Sequence, residues 1–413
     1  MLLNRIWISL IIIGFITALG KFIFFADFLI FKNIVKELFE SLKNAFDLIL
    51  GLVGALVFWM GIMNIGEKGG VVEILSRLMG PFFSKIFPEI PKGHPATGAI
   101  MMNYSANMLG LDNAATPLGL KAMQHLQDLN PNKETASNAQ IMFLVLNASG
   151  LTIIPISILA YRSGAMSKDP TAVFLPMLIA TFCSTMGALI YVSIRQKINL
   201  FQKTIVAYLG TLIVLVAGLL FYCIKHPEHI QMISDIGGNF ILISLIIWFV
   251  SLASLKKVNV YEAFIDGAKE GFSVAINILP FVIAILAAVS IFRSSGAMTA
   301  FFDFIRFILI SIGVTTLSFI EALPVAFMKP FSGPGARAMM LEVFNTHGVD
   351  SFVGKLASTF QGCCDTTFYI LAVYFGSVGI KNSRYAVSAG LIADFIGFTV
   401  SIILAYIFYA SNP

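Results

Sequence analysis

Apolar windows long enough to cross a bilayer, roughly 17–25 residues, recur along the chain near 6–25, 47–65, 138–161, 171–194, 204–224, 238–255, 273–292, 352–376 and 385–409. Amphipathic or interrupted stretches separate them at 27–46, 68–90, 94–127, 256–271, 297–318 and 319–345. The amphipathic ones, such as Val71 to Met79, are expected to lie along the membrane interface. One interruption stands out. From His94 to Lys121 the flanks are apolar, but the middle carries Asn103, Ser105, Asn107, Gly110, Asp112, Asn113, Thr116, Pro117 and Gly119. Broken backbone at membrane depth is tolerated only where protein or a water-filled cavity surrounds it, and transporters build substrate sites from such segments. The stretch therefore predicts a re-entrant helical hairpin with its tip between Gly110 and Gly119.

The pattern repeats weakly. Asn147 to Tyr161 aligns without a gap on Gln361 to Phe375, and Leu178-Ile-Ala-Thr181-Phe on Leu391-Ile-Ala-Asp394-Phe. The first hairpin aligns on Phe319 to Val343, with Ser105 opposite Glu321, Asn113 opposite Lys329 and Thr116 opposite Ser332. The offset stays at about 213–216 residues throughout, which favours a true repeat of the kind transporters carry. Each half would hold four crossings and one hairpin, and the unmatched helix near 204–224 adds one crossing between them. That parity inverts the second half relative to the first. The expected fold is an all-α polytopic membrane protein with two inverted repeats. Residues 1–195 form one, 196–234 a linker with its own transmembrane helix, and 235–413 the other.

Composition supports the membrane class. Of the 413 residues, 58% are hydrophobic and 12% charged, with a mean hydropathy of +0.88, against about 25% charged in soluble domains. The net charge of +5 calls for no nucleic acid, because basic loops facing the cytoplasm produce it. Arg195 to Lys203, Lys256-Lys257 and Lys381 to Arg384 fall on the side assigned to the cytoplasm. Lys32, Lys36 and Lys43 fall on the other, accompanied by Asp27, Glu37 and Glu40. Met1 to Gly20 has no clear small-residue cleavage site and reads as the first membrane helix. A multi-pass protein of the bacterial inner membrane is expected.

Ionisable groups inside apolar segments need a partner or a cavity, since each costs at least about 2.5–3.5 kcal/mol on insertion scales. Glu321, Lys329, Arg337, Asp365 and Asp394 qualify. Internal pairing, Glu321 or Asp365 with Lys329 or Arg337, is one reading. The other makes Glu321, Asp365 and Asp394 ion- or proton-coupling sites, with Gln361, Thr366 and Thr367 supplying further polar groups beside Asp365. The first half offers a neutral set: Asn107, Asn113, Thr116, Asn147 and Thr152 as substrate contacts, with Ser105 and Ser149 better read as inter-helix hydrogen bonds. Gly333-Pro334-Gly335, after Ser332, is expected at the second hairpin's tip. There a helix N-terminus would favour an anionic group, or the segment is simply a tight turn. Cys363-Cys364 is adjacent rather than C-x-x-C and reads as buried apolar cysteine, and His226-Pro-Glu-His229 is weak as a metal site. His94 and His125 read as structural. No phosphate loop, zinc motif or nucleophile–base set is present, so neither a cofactor nor catalysis is expected.

At these residues a resemblance enters. Residues 1–195 resemble spore maturation protein A through His94-Pro-Ala, Gly110 to Met123 and Asn147 to Pro155. Residues 235–413 resemble spore maturation protein B through Tyr261 to Phe264, Gly267 to Phe272, Pro330 to Gly333 and Asp365 to Gly376. The chain looks like a fusion of the two. The family carries a nucleoside recognition, or gate, domain related to parts of concentrative nucleoside transporters and of the ferrous iron transporter. The resemblance thus implies a transporter-like fold. The separate family proteins are associated with spore-core dehydration, but fused forms also look at home in bacteria that make no spores. Cys363-Cys364 and Pro334 depart from the family's usual pattern. The leading expectation is a secondary transporter of a small polar solute, with a coupling cation or proton, in the lipid bilayer. Alternatives are a divalent-metal permease and a non-transporting scaffold, and a homo-oligomer is left open.

Overall fold

The computed structural model describes residues 2–110, 112–153, 155–226, 230–311, 313 and 316–409. Among these the chain is almost wholly helical, with seventeen α-helices. They are α1 (Leu2–Phe24), α2 (Ile30–Lys68), α3 (Val71–Ile86), α4 (Pro95–Met108), α5 (Asp112–Leu129), α6 (Asn138–Ser149), α7 (Ile156–Gly164), α8 (Phe174–Gln196), α9 (Lys203–Lys225), α10 (Ile230–Leu255), α11 (Val260–Ser294), α12 (Ala297–Ser311), α13 (Leu323–Met328), α14 (Gly333–His347), α15 (Phe352–Gly362), α16 (Thr367–Ser377) and α17 (Ala386–Phe408). Short 3-10 turns precede α8 and α13. Thr135 and Asn382 form an isolated bridge, and no strand occurs among the described residues. The protein is an all-α polytopic membrane protein. Trp7–Phe24, Pro170–Gln196, Lys203–Tyr222 and Ala386–Phe408 are each long and apolar enough to cross a membrane. The pair Leu286–Ser294 and Ala297–Ser311, bent by 73°, forms a fifth candidate.

Several apolar windows fold differently from the expectation. The windows at 138–161 and 352–376 are not continuous spans: α6 stops at Ser149 before α7, and α15 stops at Gly362 before α16. Gly150 ends α6 with φ +53°, and Pro155 bars a return to helix before α7. The stretch 27–46, expected at the interface, is continuous with 47–65 in the 39-residue α2. At 1.5 Å per residue α2 is about 58 Å long, beyond the roughly 30 Å hydrocarbon core. The hairpin tips also shift. The first turns at Leu109-Gly110, where Gly110 has φ +70°, and Pro117 and Gly119 lie inside α5. The second turns at Lys329–Phe331, and Gly333 already begins α14, capped by the Ser332 hydroxyl, which accepts from the Gly335 amide at 3.0 Å.

Three pairs of helices at corresponding places in the two halves of the element order meet. α2 runs antiparallel to α11: Leu56 faces Gly271, Met60 faces Gly267, and Asn64 Nδ2 donates to the Ala263 carbonyl at 2.6 Å. The glycines on α11 allow backbone-to-backbone approach, and Gly61 and Gly66 on α2 take the rings of Phe264 and Phe249. α8 runs antiparallel to α17 as well, the Ser184 hydroxyl donating to the Ala393 carbonyl at 2.9 Å, Tyr191 meeting Ser388 and Gln196 donating to the Tyr385 hydroxyl, while Gly187 receives Ile396. The breaks between α6 and α7 and between α15 and α16 cross, and the Asp365 amide donates to the Ala148 carbonyl at 2.8 Å. By contrast, most of the Trp7–Phe24 and Lys203–Tyr222 spans stay uncovered by protein, with Val214 and Leu215 facing outward.

Two clasps tie the loops at the ends of the broken helices. At one, the amides of Lys381 and Asn382 donate to the Glu134 carbonyl at 2.9 and 3.0 Å, backed by a Lys381–Glu134 ion pair. At the other, the fully buried Arg162 on α7 reaches the loop before α15. Its guanidinium donates to the carbonyls of Pro170, Asp169 and Val349, to Ser167 and to the Asp350 carboxylate at 2.8 Å. Only the planar five-donor fork of arginine serves so many acceptors at once.

Two outcomes test this packing in detergent-purified protein. Gly271→Ala places a methyl 2.6 Å from the Leu56 carbonyl oxygen and should cost about 1–3 kcal/mol through overpacking. Gly54→Ala, whose methyl meets nothing within 4 Å, should be neutral or stabilising by up to about 1 kcal/mol through helix propensity. Equal melting temperatures for the two variants would refute close approach at Gly271. Arg162→Leu should cost about 3–5 kcal/mol, the scale for breaking a buried ion pair. An unchanged melting temperature would show that the clasp contributes nothing.

Candidate functional site

Each broken helix exposes polar backbone where a hairpin tip arrives. The Ile153 amide, in the first break, donates to the Met108 carbonyl at the end of α4 at 2.8 Å. The Phe368 amide, just past the second break, donates to the Pro330 carbonyl in the α13–α14 turn at 3.0 Å. Around the crossing lies a cavity of about 630 Å³. Its wall takes Asn107 and Thr116 from the first hairpin, Asn147 and Thr152 from the first break, Lys329, Ser332 and Arg337 from the second hairpin, and Gln361, Asp365 and Thr366 from the second break.

The first half lines it with neutral groups. Asn107 Nδ2 donates to Asn147 Oδ1 at 2.6 Å, and Asn147 Nδ2 donates to the Phe143 carbonyl at 2.8 Å, so an amide chain joins hairpin to broken helix. The Thr152 hydroxyl donates to the Gly150 carbonyl at 2.9 Å. Below the cavity Asn103 Nδ2 donates to the Ala115 carbonyl at 2.8 Å, holding α4 to α5. Gly119 gives room to the Tyr374 hydroxyl, so it is a packing glycine of α5 rather than a turn glycine. Asn113 begins α5 as backbone, and its side chain lies outside the described residues.

The second half lines it with charge. Asp365 is exposed to the cavity and forms no ion pair with a described residue; its Oδ1 accepts from the Thr366 amide at 2.6 Å. Lys329 is buried at the hairpin turn and lines the same wall. Gln361 is buried with its Oε1 unpaired. Thr367 and Asp394 are not on the wall. Thr367 is buried behind it and donates to Asp394 Oδ2 at 2.8 Å, and the Cys364 thiol stands beside the same carboxylate.

Glu321 lies elsewhere. It pairs with Arg306 beside a second cavity of about 280 Å³ that also holds Arg293, Glu342 and His347. The expected pairing of Glu321 with Lys329 or Arg337 is therefore replaced by one with a residue of α12, because α13 lies between Glu321 and Lys329. Arg293, bridging Glu37 at 3.1 Å and Glu342 at 3.2 Å, escaped the sequence reading, as did Arg162. Both sit near the edges of apolar windows, where a basic residue looks like an ordinary flank.

Among the described residues no group of three or more His, Cys, Asp and Glu side chains is placed to hold a metal. Cys363 and Cys364 are buried free thiols with sulfurs 3.9 Å apart, and Cys364 touches the central cavity. His94 caps α4, its Nδ1 accepting from the Ala96 amide at 3.2 Å, and stands edge-on to His125. Within His226-Pro-Glu-His229, residues 227–229 lie outside the described residues.

Similarity to known proteins agrees with this architecture. The Gate family, described as nucleoside recognition, matches residues 49–194, from within α2 to the end of α8. The chain is 42% identical over 199 residues to spore maturation protein A of Bacillus subtilis (strain 168), across 48% of this chain and 98% of that protein. It is 42% identical over 158 residues to spore maturation protein B of the same organism, across 38% of this chain and 86% of that protein. With each relative accounting for part of its length, as a fusion of the two would have it, the chain belongs to the spore maturation protein A and B family.

Proposed function

We propose that the chain is a secondary transporter of a small polar solute in the bacterial inner membrane, binding the solute in the central cavity. The observation that carries this reading is the crossing of two interrupted helices, joined by the Asp365–Ala148 backbone hydrogen bond, beside a solute-sized cavity. Discontinuous helices meeting at a polar site are the usual construction of transporter binding sites, and cavities of about 300–1,000 Å³ suit small molecules. The antiparallel pairs α2–α11 and α8–α17 support two inverted repeats, with α9 between them and the hairpins α4–α5 and α13–α14 re-entrant. Alternating access would then rock one repeat against the other around the fixed cavity. The nucleoside-recognition description of the matched family is consistent with a solute of that size.

In this reading Asp365 is the coupling group facing the cavity. Asn107, Thr116, Asn147, Thr152, Ser332, Gln361 and Thr366 offer hydrogen bonds to the solute. Thr367 and Asp394 support the second break from behind. Glu321, paired away from the cavity, is left as a member of an outer ion-pair group.

The test is uptake into vesicles reconstituted with purified protein, after a thermal-shift screen of nucleosides, amino acids, short peptides, sodium and divalent metals has chosen the solutes. Asp365→Asn should melt within a few degrees of the parent protein and lose at least about tenfold in uptake, the worth of one charge-assisted hydrogen bond. Full uptake by that variant would take Asp365 out of the mechanism. A parent protein that moves no stabilising solute, and instead comes out of mild detergent with a stoichiometric partner, would replace transport with a scaffold role.

A further inference from the structure

Among the described residues, Lys329 is a charge on the central cavity wall that meets no partner in the protein. It is 5% exposed and lines the cavity wall, yet its ammonium has no hydrogen-bond acceptor and no carboxylate within 4.0 Å among the described residues. The ammonium is not sealed off but reaches the cavity, where a charge that has lost part of its hydration gains from an added counter-charge. The nearby carboxylates do not serve. Asp365 turns one oxygen to its own neighbour's amide at 2.6 Å. Asp394, which feels the lysine only at longer range, is held by the Thr367 hydroxyl at 2.8 Å.

The surroundings point the same way. Arg337 lines the cavity together with Lys329, and Asp365 is the carboxylate on that wall among the described residues. The N-terminus of the fifteen-residue α14 opens onto the same wall at Gly333 and Pro334, adding the positive end of a helix dipole. Gln361, 6% exposed, lines the cavity, and its buried Oε1 has no donor among the described residues.

We infer that the solute of the central cavity carries an anionic group, a carboxylate or a phosphate, that pairs with the Lys329 ammonium while Gln361 hydrogen-bonds its polar remainder. This rests on the transport reading only in taking the cavity as a solute site. A neutral nucleoside would leave the ammonium unpaired, and a divalent cation would be repelled by it.

Matched solutes that differ in charge test it: adenosine 5′-monophosphate against adenosine, and succinate against succinamide, by thermal shift on the purified full chain. Adenosine 5′-monophosphate, succinate or both should raise the melting temperature where the neutral counterparts do not, and which anion does so separates phosphate from carboxylate. Lys329→Met should raise the half-saturating concentration of that anion at least about tenfold, and Lys329→Arg should restore part of the loss. Equal stabilisation by the neutral members, or unchanged anion binding by Lys329→Met, overturns the inference.

The ligand-free protein gives a second readout that needs no correct choice of solute. Lys329→Met removes a charge that has no close partner among the described residues and should raise the melting temperature. A fall would mean that the ammonium is paired within the protein, which sinks the inference and leaves the transport reading standing. Stabilisation by an anion that never crosses the vesicle membrane would instead keep the inference and remove transport.

Discussion

An interrupted helix among apolar neighbours strands its own backbone amides and carbonyls, and everything around the centre of this protein follows from how those groups are met. Away from water each unmet group costs as much as a lost hydrogen bond or more. Here the interruptions answer one another. The second break donates to the end of α6 through Asp365, the first break donates to the end of α4 through Ile153, and α16 donates to the second hairpin's turn through Phe368. The breaks are thereby fixed to each other and to both hairpins. Because these backbone groups are consumed locally, polar side chains are left to face the space between.

Holding four such elements together demands close packing outside the cavity. Glycine supplies it where helices touch backbone to backbone, as Gly267 and Gly271 do against α2, and where a large side chain must be received, as Gly119 receives Tyr374. Charge supplies it at the ends of the broken helices. Arg162 with Asp350 clasps the loop after α7 to the loop before α15, and Glu134 with Lys381 clasps the loop before α6 to the loop after α16. The two clasps differ in cost. Arg162 is wholly buried and spends its donors on carbonyls as well as on Asp350, whereas the Lys381–Glu134 pair is exposed and adds little beyond the backbone bonds beneath it.

Much of the centre could be read from the sequence because polar residues in an apolar chain are conspicuous. Asn107, Asn147, Gln361 and Asp365 were visible on that ground alone, and the structure brings them to one wall. The interruptions were harder. A window of membrane length averages over a break of four to six residues, so 138–161 and 352–376 look like uniform spans. The first break at least carries Gly150 and Pro155. The second, Cys363 to Thr366, has neither glycine nor proline within it; there the Asp365 amide bonds across to the Ala148 carbonyl while its carboxylate takes the amide of Thr366. Pro117 and Gly119 misled in the opposite direction. Proline in the second turn of α5 forfeits one backbone bond, and the glycine serves a ring on another helix. Glu321 and Lys329, opposite charges within one apolar stretch, read as partners. The intervening 3-10 turn and the short α13 send the two into different cavities.

The chemistry of the central wall is less symmetric than the packing that builds it. Helices at corresponding places meet in antiparallel pairs, so an inverted arrangement would bring equivalent positions of the two halves to a shared axis at the cavity. Those equivalent positions carry different groups. Asn147, Gly150 and Thr152 stand where the other half has Gln361, Cys364 and Thr366, and the first hairpin's described wall residues Asn107 and Thr116 are neutral where the second bears Lys329 and Arg337. Charge therefore lies on one side of the cavity, with hydrogen-bonding amides and hydroxyls on the other. A solute held between them would be oriented, its ionised end toward α14 and its neutral end toward α6. Rocking one half against the other would stretch those two sets of contacts unequally. The neutral contacts, being weaker and shorter in reach, would part first, and the charged half would carry the solute through the change of access.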